Sequence, residues 1–226
     1  MKDLLKKILM GDNKSLSRPF FSVIIATYNR SGLITRALNS MISQTEKDWE
    51  VIIVDDGSND DTYSVILPYL ELYSEISYIK QAHSGEAASK NKGIWSATGR
   101  FVTFLDSDDE FSIMHLESRK AVLIQNPSVK FLYGGVIIFG NKYVPDRFNY
   151  KKKVNLDNCV IGGTFFIDRN IAISLNGFRD ILVGADADLF DRAKKAGTAM
   201  MEVSQPTYFY HHETEDSITN KLVSGK

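Results

Sequence analysis

Short apolar runs and stretches of helical period alternate through the first half of the chain. The runs at 21–26 (FSVIIA), 49–54 (WEVIIV), 76–80 (ISYIK) and 101–105 (FVTFL) are rich in β-branched and aromatic residues. Each has the length of a strand, and the first reads as buried on both faces; the third is the weakest. Between them Leu33, Ile34, Ala37, Leu38, Met41 and Ile42 recur with helical period, as do Val65, Ile66, Tyr69 and Leu70, and small and apolar residues alternate over 86–97. Strand and helix in strict succession predict an α/β fold, a parallel sheet with helices on both faces. The second half is less regular. A helix is expected over 111–126, stopped by Pro127, then a strand or strand pair over 129–139. Residues 141–158 are polar, basic and without period, as a lid or acceptor loop would be. A strand over 161–167, short helix over 171–175, helix over 186–196 with Leu189, Phe190 and Ala193 inward, and last strand over 198–203 complete the expectation. The tail from Tyr208 shows no period.

The fourth strand runs straight into Asp106, Ser107, Asp108, Asp109 and Glu110. Carboxylates are rarely buried without partners, so the strand delivers its acids to a rim. Two carboxylates ~4 Å apart repel by ~4 kcal/mol at an effective dielectric near ~20. Asp106 and Asp108 flank one residue, so a bend there would aim both at one hard divalent ion. The competing reading is a helix N-terminus, with Ser112 as cap. In parallel sheets ligands bind beyond the carboxyl ends of the strands, which brings 27–30, 55–58 and 106–110 to one crevice. Neither G-x-G-x-x-G after the first strand nor G-x-x-x-x-G-K-[ST] occurs. A nucleotide held there needs its phosphates neutralised otherwise, and a metal on the acidic rim would do so.

Composition narrows the partners. With 226 residues and 43% hydrophobic content the chain has material for one large core, and a net charge of -1 offers no field for nucleic acid. The single cysteine, Cys159, excludes an internal disulfide and fits a cytoplasmic setting. No apolar stretch reaches the ~20 residues of a membrane span. Residues 1–19 begin with an amphipathic segment, Leu4, Leu5, Ile8 and Leu9 among lysines, too short and too charged for a secretory signal. Such a segment packs on its own domain or rests on a membrane surface, here the inner face.

Four strings, VIIATYNR, SQTEKDWEVIIVDDGSNDDT, NKGIWSATGRFVTFLDSDD and GFRDILVGADADLFDRAKK, stand in order along the chain. Together they resemble the family 2 glycosyltransferases of the GT-A fold. The resemblance implies a Rossmann-like α/β/α sandwich, with 20–110 as nucleotide-binding half and 111–226 as a smaller, irregular acceptor half and tail. It also implies inverting transfer of a sugar from a nucleotide diphosphate sugar, commonly UDP-linked, to an acceptor hydroxyl, assisted by Mn or Mg. A saccharide or lipid-linked saccharide is the expected acceptor.

Residue by residue, Ala26, Thr27 and Tyr28 match the first nucleotide-contacting turn, with Tyr28 against the base. Asp56 matches the acceptor of the uracil hydrogen bond, and Asp55 the residue holding that loop. Asp106 matches the ribose-contacting acid and Asp108 the metal ligand, with Asp109 its nearest competitor and His212 or His211 completing the shell. Lys90 stands where an arginine is usual, keeping the charge without the planar fork. Asp186 matches the general base, with Asp188 the alternative. The glutamate that normally precedes the base is Ala185, which keeps open a catalytically weak, nucleotide-sugar-binding module. A nucleotidyltransferase would carry a glycine- and lysine-rich phosphate loop, and 27–32 offers none.

Overall fold

The structure is a computed structural model that describes residues 18–213; 1–17 of the amphipathic segment expected over 1–19, and 214–226 of the expected tail, lie outside them. In the first half the sequence pattern and the structure coincide. Strands β1 (Phe21–Thr27), β2 (Trp49–Asp55), β3 (Ile76–Lys80) and β4 (Phe101–Phe104) alternate with helices α1 (Ile34–Ile42), α2 (Thr62–Leu72) and α3 (Glu86–Ser96). Then come β5 (Glu110–Phe111), α4 (His115–Gln125), β6 (Phe131–Tyr133), β7 (Val136–Gly140), β8 (Tyr143–Pro145) and β9 (Lys153–Asn155). The described chain ends with β10 (Phe166–Asp168), α5 (Arg169–Ser174), α6 (Ala185–Lys195), β11 (Met200–Glu202) and β12 (Tyr208–His212).

Seven strands form the central sheet in the order β11-β6-β10-β4-β1-β2-β3. Only β10 runs antiparallel to its neighbours. β1 is paired in parallel with both β2 and β4, so the chain winds outward in both directions from it. The gap between β1 and β4 is the switch point at which α/β sheets bind ligands. Val23 and Ile25 of β1 enter one core layer with Leu38 and Phe101, while Ile24 enters the other with Ile94 and Phe104. Burial on both faces is why the run shows no polar alternation, and each such side chain contributes about 1.5–3 kcal/mol.

Five features of the second half depart from the sequence pattern or settle an alternative that it left open. The acids after β4 do not begin a helix: a turn leads from Asp106 into β5, and α4 starts only at His115, without a side-chain cap. The stretch over 129–139 is two strands in two sheets, separated where Gly134 and Gly135 take φ of 94° and 78°. A Cβ on Gly135 would lie 2.1 Å from the Gln205 carbonyl oxygen, so the crossing requires glycine. Residues 143–155, expected as a loop, form the β8–β9 hairpin; its three-residue strands are too short to show a period. The strand expected over 161–167 opens with a 3-10 turn at Gly162–Thr164 and reaches extended pairing only in β10. The last strand is β12, not β11, pairing with β5 and β7. Four of its five residues, Tyr208, Tyr210, His211 and His212, carry both a ring and a polar group, so a two-class hydrophobic pattern does not register the strand.

Candidate active site

The loops after β1 and β2 are laced together. Asn29, in the left-handed region at φ 52°, donates its N–H to Ser58 Oγ at 2.9 Å and accepts from the Asn59 N–H at 2.9 Å. The Arg30 N–H meets Thr62 Oγ1 at 2.9 Å and the Ser31 N–H meets Asp60 at 3.1 Å. Asp55 is fully buried and accepts from the Ser58 N–H at 2.7 Å and the Tyr78 hydroxyl at 2.5 Å, which makes it the post of the loop.

Asp56 faces the other way and accepts from Gln81 Nε2, the Ser84 N–H and the Gly85 N–H, each at 2.8 Å. Burial alone would raise its pKa, but these bonds hold the carboxyl below the usual range. His83 Nδ1 also faces Asp56, 3.2 Å from its carbonyl oxygen and 2.8 Å from Oδ2. The His83 ring stacks on Tyr28, centroids 4.2 Å apart and planes 22° from parallel. Tyr28 is otherwise open to solvent, with 41% of its surface exposed. Tyr28 and Asp56 thus meet at one spot, with an imidazole stacked on the first and donating to the second. His83 was not singled out from sequence, and nothing local marks it; its place depends on the β2 loop folding back over it. Thr27 is buried with an unpaired Oγ1 beside this spot in the chain, and Ala26 is half-buried.

Across the switch point, Lys90 on α3 is almost fully buried and bonds Glu86 Oε1 at 2.5 Å and Asp106 Oδ1 at 3.0 Å. Burial opposes its charge, yet Asp106, Glu86 and Asp186 together hold the ammonium well above its ordinary pKa. Asp108 is half-buried; desolvation raises its carboxyl, the Asp106 charge adds to the rise and Arg30 opposes it. The Asp108 carbonyl oxygen accepts from Arg36 of α1 at 3.1 Å, which fixes the loop. Asp109 is turned away into the protein. Its two oxygens accept from the Tyr208 hydroxyl at 2.6 Å and the His211 N–H at 2.7 Å. Burial and the neighbouring Asp106 and Asp108 charges put its pKa well above normal. The acid that competes with Asp108 in sequence is therefore a tie to β12.

Asp186 sits in the first turn of α6, half-buried, and accepts from the Gly162 N–H at 2.9 Å. Desolvation pushes its carboxyl up to about 6; Lys90 opposes the rise, while Glu86 and Asp106 add to it. Asp188 is committed elsewhere, to Arg192 at 2.7 Å and Arg179 at 3.2 Å. A Cβ on Gly162 would lie 2.6 Å from the Asp186 carboxyl. Gly162→Ala is therefore expected to push that carboxylate out of place, lowering kcat by ~10-fold or more with little change in donor affinity. Steady-state kinetics check this, and an unchanged kcat would show that the carboxylate tolerates the shift.

His212 is buried on β12, its ring stacked with Tyr210 and its Nδ1 against the Asn141 carbonyl, so that nitrogen is not open for a ligand. Among the described residues no three His, Cys, Asp or Glu side chains form a ready metal cage. Asp106 gives one oxygen to Lys90, and Asp108 in its field is the remaining rim carboxylate. That fits a hard octahedral ion, which keeps its waters and takes the rest of its oxygens from a substrate phosphate.

The profile of glycosyl transferase family 2 matches residues 22–182. The chain belongs to this family. Its similarity to named members is partial in length. It is 31% identical over 156 residues to UDP-Glc:alpha-D-GlcNAc-diphosphoundecaprenol beta-1,3-glucosyltransferase WfgD of Escherichia coli, covering 66% of this chain and 60% of that one. It is 32% identical over 160 residues to the putative teichuronic acid biosynthesis glycosyltransferase TuaG of Bacillus subtilis, covering 67% and 63%. Among solved structures, S. aureus TarS 1-349 in complex with UDP-GlcNAc superposes with a TM-score of 0.74 at 23% identity, over 88% of this chain and 60% of that fragment. The fold is thus the GT-A fold of the family. The chain spans about 60% of the length of WfgD and of that TarS fragment.

Proposed function

We propose that this family 2 domain transfers a sugar from a nucleotide diphosphate sugar to an acceptor hydroxyl, with inversion at the anomeric carbon. The observation that carries the proposal is Asp186, a carboxylate at the start of α6 that the Gly162 N–H holds at 2.9 Å and that burial pushes up to about 6 against the opposing charge of Lys90. A group near pH 6 is a base at neutral pH and still basic enough to share an acceptor proton, worth about 100-fold to 10,000-fold in rate. The acceptor O–H gives its proton to Asp186 while its oxygen bonds to the anomeric carbon. The bond from that carbon to the phosphate oxygen breaks, and its electron pair leaves with the nucleoside diphosphate.

UDP is the nucleotide we assign, with uracil against Tyr28, its ring N–H directed to Asp56, and the ribose at Asp106. The base must then replace the His83 ring, which already satisfies the same two partners. The UDP-GlcNAc complex of TarS supports a UDP-sugar, and the diphosphoundecaprenol acceptor in the WfgD name supports a lipid-linked saccharide acceptor in surface-glycan synthesis. The mannosyltransferase PcManGT, 22% identical with a TM-score of 0.65, was solved with GDP-Man and Mn2+, which supports a divalent ion here. A bound Mn or Mg, held by Asp108 with His212 a further candidate only through Nε2, would offset the charge of the departing diphosphate. Asp108→Ala is expected to remove the metal-dependent part of UDP binding. Calorimetry with manganese and with chelator reads this directly, and affinity indifferent to both would remove the metal from the proposal.

Ala185 supports a second reading, a fold that binds nucleotide sugar without turnover. Against it stands the Gly162 N–H, which orients Asp186 without a preceding glutamate. Donor hydrolysis or transfer by the purified protein separates the two.

A further inference from the structure

The β8–β9 hairpin ends in residues 146–152, and its tip exposes two large rings. Phe148 is 83% exposed and Tyr150 54%. The turn does not depend on either ring, because Asp146 Oδ1 accepts from the Phe148 and Asn149 N–H groups at 2.9 and 2.8 Å. Around the rings stand Arg147, Lys151, Lys152 and Lys153, and across 141–158 five cations face only two acids, Asp146 and Asp157, in a chain of net charge -1. Asp157 is already paired to Lys142 at 3.3 Å. Arg147 lies 4.6 Å from the centre of the Phe148 ring and bonds Asp191 of α6 at 2.7 Å. The hairpin is thereby joined to the helix that carries Asp186. The loop leading into α6 passes close by, a Cβ on Gly184 falling 3.0 Å from Arg147, and that loop exposes Ile181 and Leu182, the latter at 59%.

We infer that this tip is a docking surface for an anionic lipid bilayer, which brings a membrane-held acceptor to the Asp186 side of the crevice; the second clause rests on the function proposed above. Exposed aromatic and aliphatic side chains among lysines have the chemistry of a membrane interface, where rings enter the headgroup layer and cations meet anionic lipid. A soluble polyanion would satisfy the lysines but leave Phe148, Ile181 and Leu182 in water. A sugar would stack on rings but gain nothing from the two aliphatic chains.

The test is co-sedimentation of the full chain with phosphatidylcholine vesicles, with and without phosphatidylglycerol. The chain is expected to pellet with the anionic vesicles, less so at high salt. Phe148→Ser with Tyr150→Ser, and separately Lys151→Glu with Lys152→Glu, are each expected to weaken that binding at least ~10-fold while leaving UDP affinity unchanged. Equal binding of the wild type to both vesicle types, no binding to either, or variants that bind like the wild type would each overturn the inference. So would capture of a soluble anionic glycan in preference to vesicles, lost in the same variants. Failure of the wild type to bind UDP would strike the proposed donor and leave the vesicle result standing.

Discussion

Asp186→Asn is expected to cut turnover by at least ~100-fold while UDP still binds with wild-type affinity. The amide keeps the shape of the side chain, and its oxygen still accepts from the Gly162 N–H, but it takes no proton. The wild type carries a second signature of the same group. With a carboxyl at about 6, kcat/KM should fall roughly tenfold per pH unit below that value, and the limb should vanish from the residual activity of the variant. Stability should move the other way. A carboxyl raised on folding supports the fold below its unfolded pKa and loses that contribution as pH rises through about 6. At neutral pH the ionised Asp186 therefore costs up to ~3 kcal/mol, and the asparagine variant should melt no lower than the wild type. A variant with wild-type turnover would remove Asp186 from the chemistry. One that lost UDP binding as well would place it in the donor site instead.

Lys90→Met should be damaging in two separable ways. Its ammonium is nearly fully buried and shared between Glu86 and Asp106, so its loss leaves two carboxylates without their common cation. Breaking a buried pair typically costs ~3–5 kcal/mol, but Glu86 and Asp106 are 45% and 31% exposed, and water recovers part of this. A loss of about 2–3 kcal/mol in thermal denaturation is expected. Because the Lys90 pKa is raised in the folded state, its stabilisation is in full force below about 10.4 and fades only above. The second effect is on Asp186. Lys90 favours the ionised carboxylate, so without it the proton is held to higher pH and the acid limb of the rate profile moves above about 6. Lys90→Arg keeps the charge and should return the limb toward its original place. A limb unmoved in the methionine variant would mean that Lys90 is structural only.

The nucleotide half was legible because its signals are local. A strand buried on both faces announces itself by an unbroken apolar run, as at 23–26, and α1 by the spacing of Leu38 and Met41. In the acceptor half the helices and the runs that hold β6 and β10 were legible, but the sheet they build was not. β6 and β10 are three-residue strands whose partners lie far along the chain, so no window of sequence contains their pairing. β12 was missed because its tyrosines and histidines do not read as an apolar run, and with it the contact that turns Asp109 inward.

By itself the sequence determined the α/β alternation, the three polar loops at one end of the sheet, the acidic run after β4 and the family resemblance. These depend on neighbours within a few residues. Tertiary structure alone decided which acids share the crevice. Asp106 and Asp186 meet the field of Lys90, while Asp109 and Asp188 spend their oxygens on Tyr208, His211 and two arginines. It also set His83 on Tyr28 and lifted the carboxyl of Asp186 toward neutrality. Charge and desolvation act through space, and a residue's chemistry is fixed by groups that the chain brings to it from elsewhere.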